Sequence, residues 1–364
     1  MSKPLLTHLG AALAGGLIVL LCISDASKHV VHESKDSAQL SSPFRKSTRH
    51  PASVAESNHS ALFHQGLNEI PGADSLEELL ALTGVKLPTR SELDTHLANQ
   101  GHPAEGYLAA GMILQDPNLM RAAIIREPSN PHILFALASR DDFPDDDRIQ
   151  WARQLQEAQP DNSLASYLLA ALTWEYETKN PALEILGKVD HPKRFQTFTS
   201  ESLIALTETL GATGNNRAAS AYYATLTVDL PHLAPLLTLS RNLQDYAEQA
   251  SPEEAFIARR RNAGLGSFLV GEDDMLSGLV GLSIQGNAYA NLAPDAPLPI
   301  EDINPDTLLL SIERRRNEFR ELPLPTEALQ TSPELIEGYT MRALALGEIE
   351  ALRWLRSRTS PPAQ

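Results

Sequence analysis

One cysteine, Cys22, in 364 residues leaves no internal disulfide and no cysteine-built metal site, so the fold must rest on packing alone. Aromatic residues are only 5% of the chain, while Ala and Leu dominate its apolar content, a balance that favours helix over strand. A basic excess is absent too: 46 acidic residues against 30 basic give a formal net charge of −16. Such a surface repels nucleic acid and anionic lipid headgroups, so neither is an expected partner. The chain has no His-Glu-x-x-His pair, no Gly-x-Ser-x-Gly elbow and no Gly-Lys-Ser/Thr phosphate loop. Long apolar runs are missing as well, with one exception at the N-terminus.

That exception is Pro4 to Ile23, free of Asp, Glu, Lys and Arg and long enough as a helix, at about 30 Å, to cross a hydrocarbon core. Lys3 precedes it and no acidic residue does, which orients the start of the chain to the cytoplasm and the body outside it. Three outcomes stay open. An uncleaved anchor uses the whole run, with Ala11/Gly15 and Ala12/Gly16 as small pairs for helix approach. A signal peptide uses Leu9–Ile23, with Ser24 and Ala26 before a cut at Ser27. A lipoprotein is cut before Cys22, where bulky Leu21 fits poorly. From Ser24 to about Ser60 the chain is rich in Ser, His, Lys and Ala and lacks apolar periodicity, the composition of a flexible tether with a reach of roughly 35 Å.

Beyond the tether, helix signals follow one another at short intervals. Thr89 with Glu92 has capping-box spacing, as does Ser251 followed by Pro252, Glu253 and Glu254. Tyr107, Leu108, Met112 and Ile113 make one apolar face; after Asp116-Pro117-Asn118, Leu119, Ala122, Ala123 and Ile125 make the next. Pro128-Ser129-Asn130 and Pro160-Asp161-Asn162 each precede an apolar helix, and the two prolines lie 32 residues apart. A second helix follows at Asn180-Pro181. Another pair covers about 200–210 and 216–228, and Pro231 falls 71 residues after Pro160.

A period near 34 with Pro-x-Asn at helix entry resembles the tetratricopeptide family of helix–turn–helix repeats. The matching residues are Pro128/Asn130, Pro160/Asn162, the small residues Ala109, Ala123, Ala170 and Ala182, and the aromatics Tyr107, Tyr167 and Tyr222, within about residues 103–235. The family's Gly–Tyr pair and regular Ala–Phe are mostly missing, and Asp141–Asp147 (DDFPDDD) is a longer break than an ideal repeat has. An irregular helical bundle is the alternative. The resemblance implies an all-α, TPR-like solenoid over 61–250 with a C-terminal helical region over 251–364. Residues 1–24, the signal anchor or signal peptide, and the linker 25–60 precede it. In the C-terminal region, 306–320 and a pair from Ser332 through Gly347-Glu348 to Trp354 read as helices, and the pair suits the cap that a solenoid end needs.

Candidate chemistry is sparse. Gly264-Leu265-Gly266 with Gly271 fails the dinucleotide spacing and reads as close helix packing. The acidic runs 141–147 and 272–274 lack calcium-loop spacing and read as solvated loops or helix N-termini. Arg259–Arg261 and Arg314–Arg316 read as partners of nearby glutamates, or as a dock. Asn58-His59-Ser60 matches a glycosylation sequon, and His59/His64 is a close pair without further ligands. No residue is nominated as catalytic, cofactor-binding or metal-ligating. The expected function is an interaction scaffold for a protein or peptide, tethered to a membrane through residues 4–23 with its body outside the cytoplasm, or secreted after cleavage. The alternative is an envelope enzyme on an all-helical scaffold, which a buried glutamate of elevated pKa facing a deep cleft favours.

Overall fold

The structure, a computed structural model, describes residues 84–189, 194–289, 292, 297–299, 305–322 and 332–359. Chain contacts divide the protein into Met1–Asp74 and Ser75–Gln364. All described residues fall in the second unit. The Pro4–Ile23 run, the tether, Cys22, the sequon and the His59/His64 pair lie outside them.

The described residues are all-α, with 15 helices and no strand. They are α1 Arg90–Asn99, α2 Ala104–Leu114, α3 Pro117–Arg126, α4 Pro131–Ala138, α5 Asp145–Ala158, α6 Ser163–Tyr176, α7 Lys179–Gly187 and α8 Thr199–Ala212. Then come α9 Arg217–Thr227, α10 Leu233–Gln249, α11 Pro252–Val270, α12 Met275–Tyr289, α13 Pro305–Arg320, α14 Pro333–Leu346 and α15 Glu348–Thr359.

Local chemistry accounts for the helix starts. Thr89 and Ser251 each complete a capping box, with Glu92 and Glu254. Asn130 accepts from the His132 and Ile133 amides, with Pro131 at the first helical position, and Asn162 accepts from Leu164. Asp116 and Asn216 cap α3 and α9 in the same way. The acidic Asp145, Asp146 and Asp147 occupy the first turn of α5, where the helix dipole favours negative charge.

Successive helices pack in pairs: α2 on α3, α4 on α5, α6 on α7, α8 on α9, α11 on α12 and α14 on α15. Other contacts skip along the chain. α8 packs against α2, α10 against α6, and α14 against α9. α10 also packs on α11 and α12, so the helices on both sides of residue 250 share their packing. α6, buried nearly all round, sits among α5, α7 and α10.

One expected face differs in detail. Ile125 is 75% exposed, and α3 buries Leu119, Met120 and Ala123 instead. Met120 and Ala123 are three residues apart on one helix face, whereas Ile125 stands about 200° round from Ala123. On α14, Tyr339 and Ala343 are buried but Met341 is 48% exposed, for the same reason of phase.

Arg140, buried at the end of α4, ties three segments. Its guanidinium donates to Asp142 (3.0 Å), to Asp229 after α9 (2.7 Å) and to Gln115 after α2 (3.1 Å). Burial opposes its charge, and Asp229 and Asp142 more than restore it. Arg261, from the first arginine triplet, docks on the backbone carbonyls of Val189 and Gly187.

The Gly-rich stretch is close helix packing. A Cβ on Gly281 would stand 2.6 Å from the Gly266 carbonyl oxygen and 2.6 Å from the Val270 nitrogen, so α11 and α12 touch backbone to backbone there. Gly281→Ala therefore lowers stability by about 1–3 kcal/mol through overpacking. Gly286→Ala, on the same helix with nothing within 4 Å, is neutral or stabilising by up to about 1 kcal/mol. Urea denaturation of the two variants beside the parent measures the contrast.

Candidate functional site

The chemically richest cluster forms where α4, α8 and α2 meet. Asn130 fixes the start of α4 and puts His132 in its first turn, facing inward. Asn162, through its side chain, accepts from the Gln196 amide (3.1 Å) and donates to the Gln196 carbonyl, while the Ser163 amide donates to the Arg194 carbonyl. The segment 194–198 is thereby pinned to the start of α6 and delivers α8. Phe198, with φ +57°, turns the chain into α8 and stacks its ring on His132 (6.1 Å) and against Phe135 (5.3 Å).

His132 Nε2 lies 2.9 Å from Ser202 Oγ, and its Nδ1 lies 3.9 Å from Glu105 Oε1 on α2. Burial lowers the His132 pKa, with Glu105 and Glu201 acting the other way. The imidazole is therefore neutral near pH 7 and shares one hydrogen bond with the serine. Nucleophile, base and carboxylate in this order have the connectivity of a hydrolase triad. Ser202 is 6% exposed and His132 3%, however, and Nδ1 has no hydrogen-bond partner among the described residues. In this geometry the pair secures α8 to α4. Seventy residues separate His132 from Ser202, and no spacing rule links them.

A second polar cluster surrounds the turn between α11 and α12. Thr197 Oγ1 donates to Glu272 (2.6 Å), and burial first, then Asp274 and Asp273, push Glu272 up to about 7 against that hydrogen bond. Glu348 is likewise pushed up to about 7 by burial, and Asp274 upward for the same reason. Both glutamates face protein groups, the Thr197 hydroxyl and the Met275 amide. The acidic run 272–274 thus lies at a helix N-terminus, where Asp274 accepts from the Ser277 amide (2.6 Å). No group of three His, Cys, Asp or Glu side chains able to hold a metal occurs among the described residues. No helix among them is long and apolar enough to cross a membrane.

These elements define an all-α protein built of paired helices. The chain matches no protein-family model, no curated protein and no solved structure.

His232, at the entry to α10, is 0% exposed, packs against Phe135 (5.3 Å), and has neither ring nitrogen hydrogen-bonded among the described residues. Burial lowers its pKa from 6.5 to about 3. A depressed value means that the unfolded chain takes up a proton first. The stability present above pH 6.5 is lost as pH falls toward 3, by on the order of 5 kcal/mol at the limit. Urea midpoints followed from pH 7 to 4 should fall in the parent and fall less in His232→Phe. Equal slopes would show that His232 does not carry the effect.

Proposed function

We propose that the protein is a membrane-tethered, extracytoplasmic helical-repeat scaffold that binds another protein or peptide. The observation that carries this reading is the repeated unit around α4–α5 and α6–α7. Asn130 and Asn162, 32 residues apart and each third in a Pro-x-Asn triplet, cap the first helix of two consecutive pairs. Stacked helix pairs present extended side-chain surfaces, and such surfaces serve recognition. Large apolar side chains stand in solvent on several of these helices, among them Ile204 on α8, Ile257 on α11 and Met341 on α14. In this reading the TPR-like solenoid begins at α2, and α14–α15 act as its terminal cap. Residues 4–23 hold the chain in the membrane with the body outside the cytoplasm, on the periplasmic side in a bacterium.

The alternative, an envelope enzyme, draws on the 2.9 Å Ser202–His132 contact with Glu105 beyond it. A fluorophosphonate probe that labels the full chain but not Ser202→Ala would favour it.

For the scaffold, photo-cross-linking residues placed singly at Ile204, Ile257 and Met341 of the full chain in cells should give a discrete adduct with another polypeptide. A control at exposed Lys86, ahead of α1, should give none. Monomer alone at all three positions rejects the scaffold. The same preparation reports the address: membranes washed at high pH should retain a chain of 39.7 kDa. A mass lower by residues 1–26 means cleavage and secretion, and recovery in the cytosol rejects both.

A further inference from the structure

The last two helices meet the rest of the protein through a short junction. Gly347 alone separates α14 from α15, has φ +88°, and would bring a Cβ to 2.4 Å from Asp273 Cβ. Only a bare backbone in the left-handed region permits this approach. Beside it, the Ile349 amide donates to the Asp273 carbonyl (3.1 Å), and the Met275 amide donates to the Glu348 carboxyl (3.0 Å). Met275 opens α12, so Glu348 reaches across to cap a helix that is not its own. Asp274 accepts from Ser277 in the same turn, which gathers two carboxyl groups from separate segments at one helix N-terminus. Behind them Tyr222, Tyr339, Leu352 and Leu355 form an apolar cluster between α9 and the α14–α15 pair.

We propose that this junction is a proton-controlled latch: the α14–α15 pair stays docked on α9 and α12 while the Glu348 carboxyl holds a proton, and loosens as that proton leaves. The groups that face the junction are acidic or neutral. They are Asp273, Asp274 and, through Asp274, Glu272 from the turn before α12; Tyr339 from α14; and Tyr222 from α9. Burial and the Asp274 charge push Glu348 up to about 7, against the Met275 amide, which favours the anion. Once released into water the same carboxyl returns toward 4.5. Docking therefore takes up a proton between these values. It is strongest below pH 4.5 and weakens as pH rises through 7, by about 300-fold at the limit for Glu348 alone.

Hydrogen–deuterium exchange on the full chain, corrected for the intrinsic pH dependence of exchange, tests this. Between pH 5 and 8 the protection of amides in α14 and α15, relative to α4–α7, should fall by roughly 50- to 100-fold. Glu348→Gln, uncharged at every pH and nearly the same shape, should remove most of that fall. Protection in α14–α15 that tracks α4–α7 throughout overturns the proposal in the parent chain alone. So does a Glu348→Gln chain that keeps the parental pH dependence. His232 drives the opposite trend, and the comparison with α4–α7 together with Glu348→Gln separates the latch from the loss of stability at high pH to which Glu272 and Asp274 contribute.

Discussion

Much of this structure depends on Arg140 remaining charged inside the protein. Three segments that are distant in sequence, after α2, after α4 and after α9, converge on one guanidinium and satisfy it. A buried cation without partners costs several kcal/mol, so the arrangement holds only if all its carboxylates arrive together. Arg140 thus links the α2–α3, α4–α5 and α8–α9 pairs at one point, and His132 with Ser202 links two of them at another. With α8 lying on α2, contacts reach beyond the nearest-neighbour pattern of an open repeat array.

Sequence reasoning reached the punctuation and stopped at the pairing. Thr89, Asn130, Asn162 and Ser251 were legible at helix entries because capping depends on residues two or three positions apart. The packing role of the Gly-rich stretch was legible too, since its spacing suited no phosphate loop. Arg140 with Asp229, and His132 with Ser202, carry no such mark: they lie 89 and 70 residues apart, and either member alone reads as an ordinary polar residue. Ile125 is apolar yet exposed, because helix phase and not apolar character decides which residue faces the core. The raised carboxyls of Glu272 and Glu348 were invisible for another reason. Their shifts come from desolvation, which exists only once distant segments have met, the Thr197 segment for Glu272 and the start of α12 for Glu348.

The desolvated ionisable groups, His132 and His232 buried and the carboxyls half-buried, divide by sign along the chain. His132 and His232, in the part nearer the N-terminus, prefer to be neutral and lose stability in acid, where the unfolded chain takes up the proton that the fold withholds. Glu272, Asp274 and Glu348, around the turn into α12 and the last helix, prefer protonation and resist alkali poorly. Desolvation is the common cause, and the opposite charges of the ionised forms give opposite directions. The two ends of the described body therefore need not share one pH of greatest stability.

The seat of α8 on α2 also bears on synthesis. From Leu114 to Thr199 the chain runs 85 positions, so the face of α2 that carries α8 has no cover until that length has emerged. At typical rates of translation this interval lasts roughly 5–15 s, far longer than the microseconds in which a helix forms. The early pairs must wait, folded locally and with apolar surface open, for a partner not yet made.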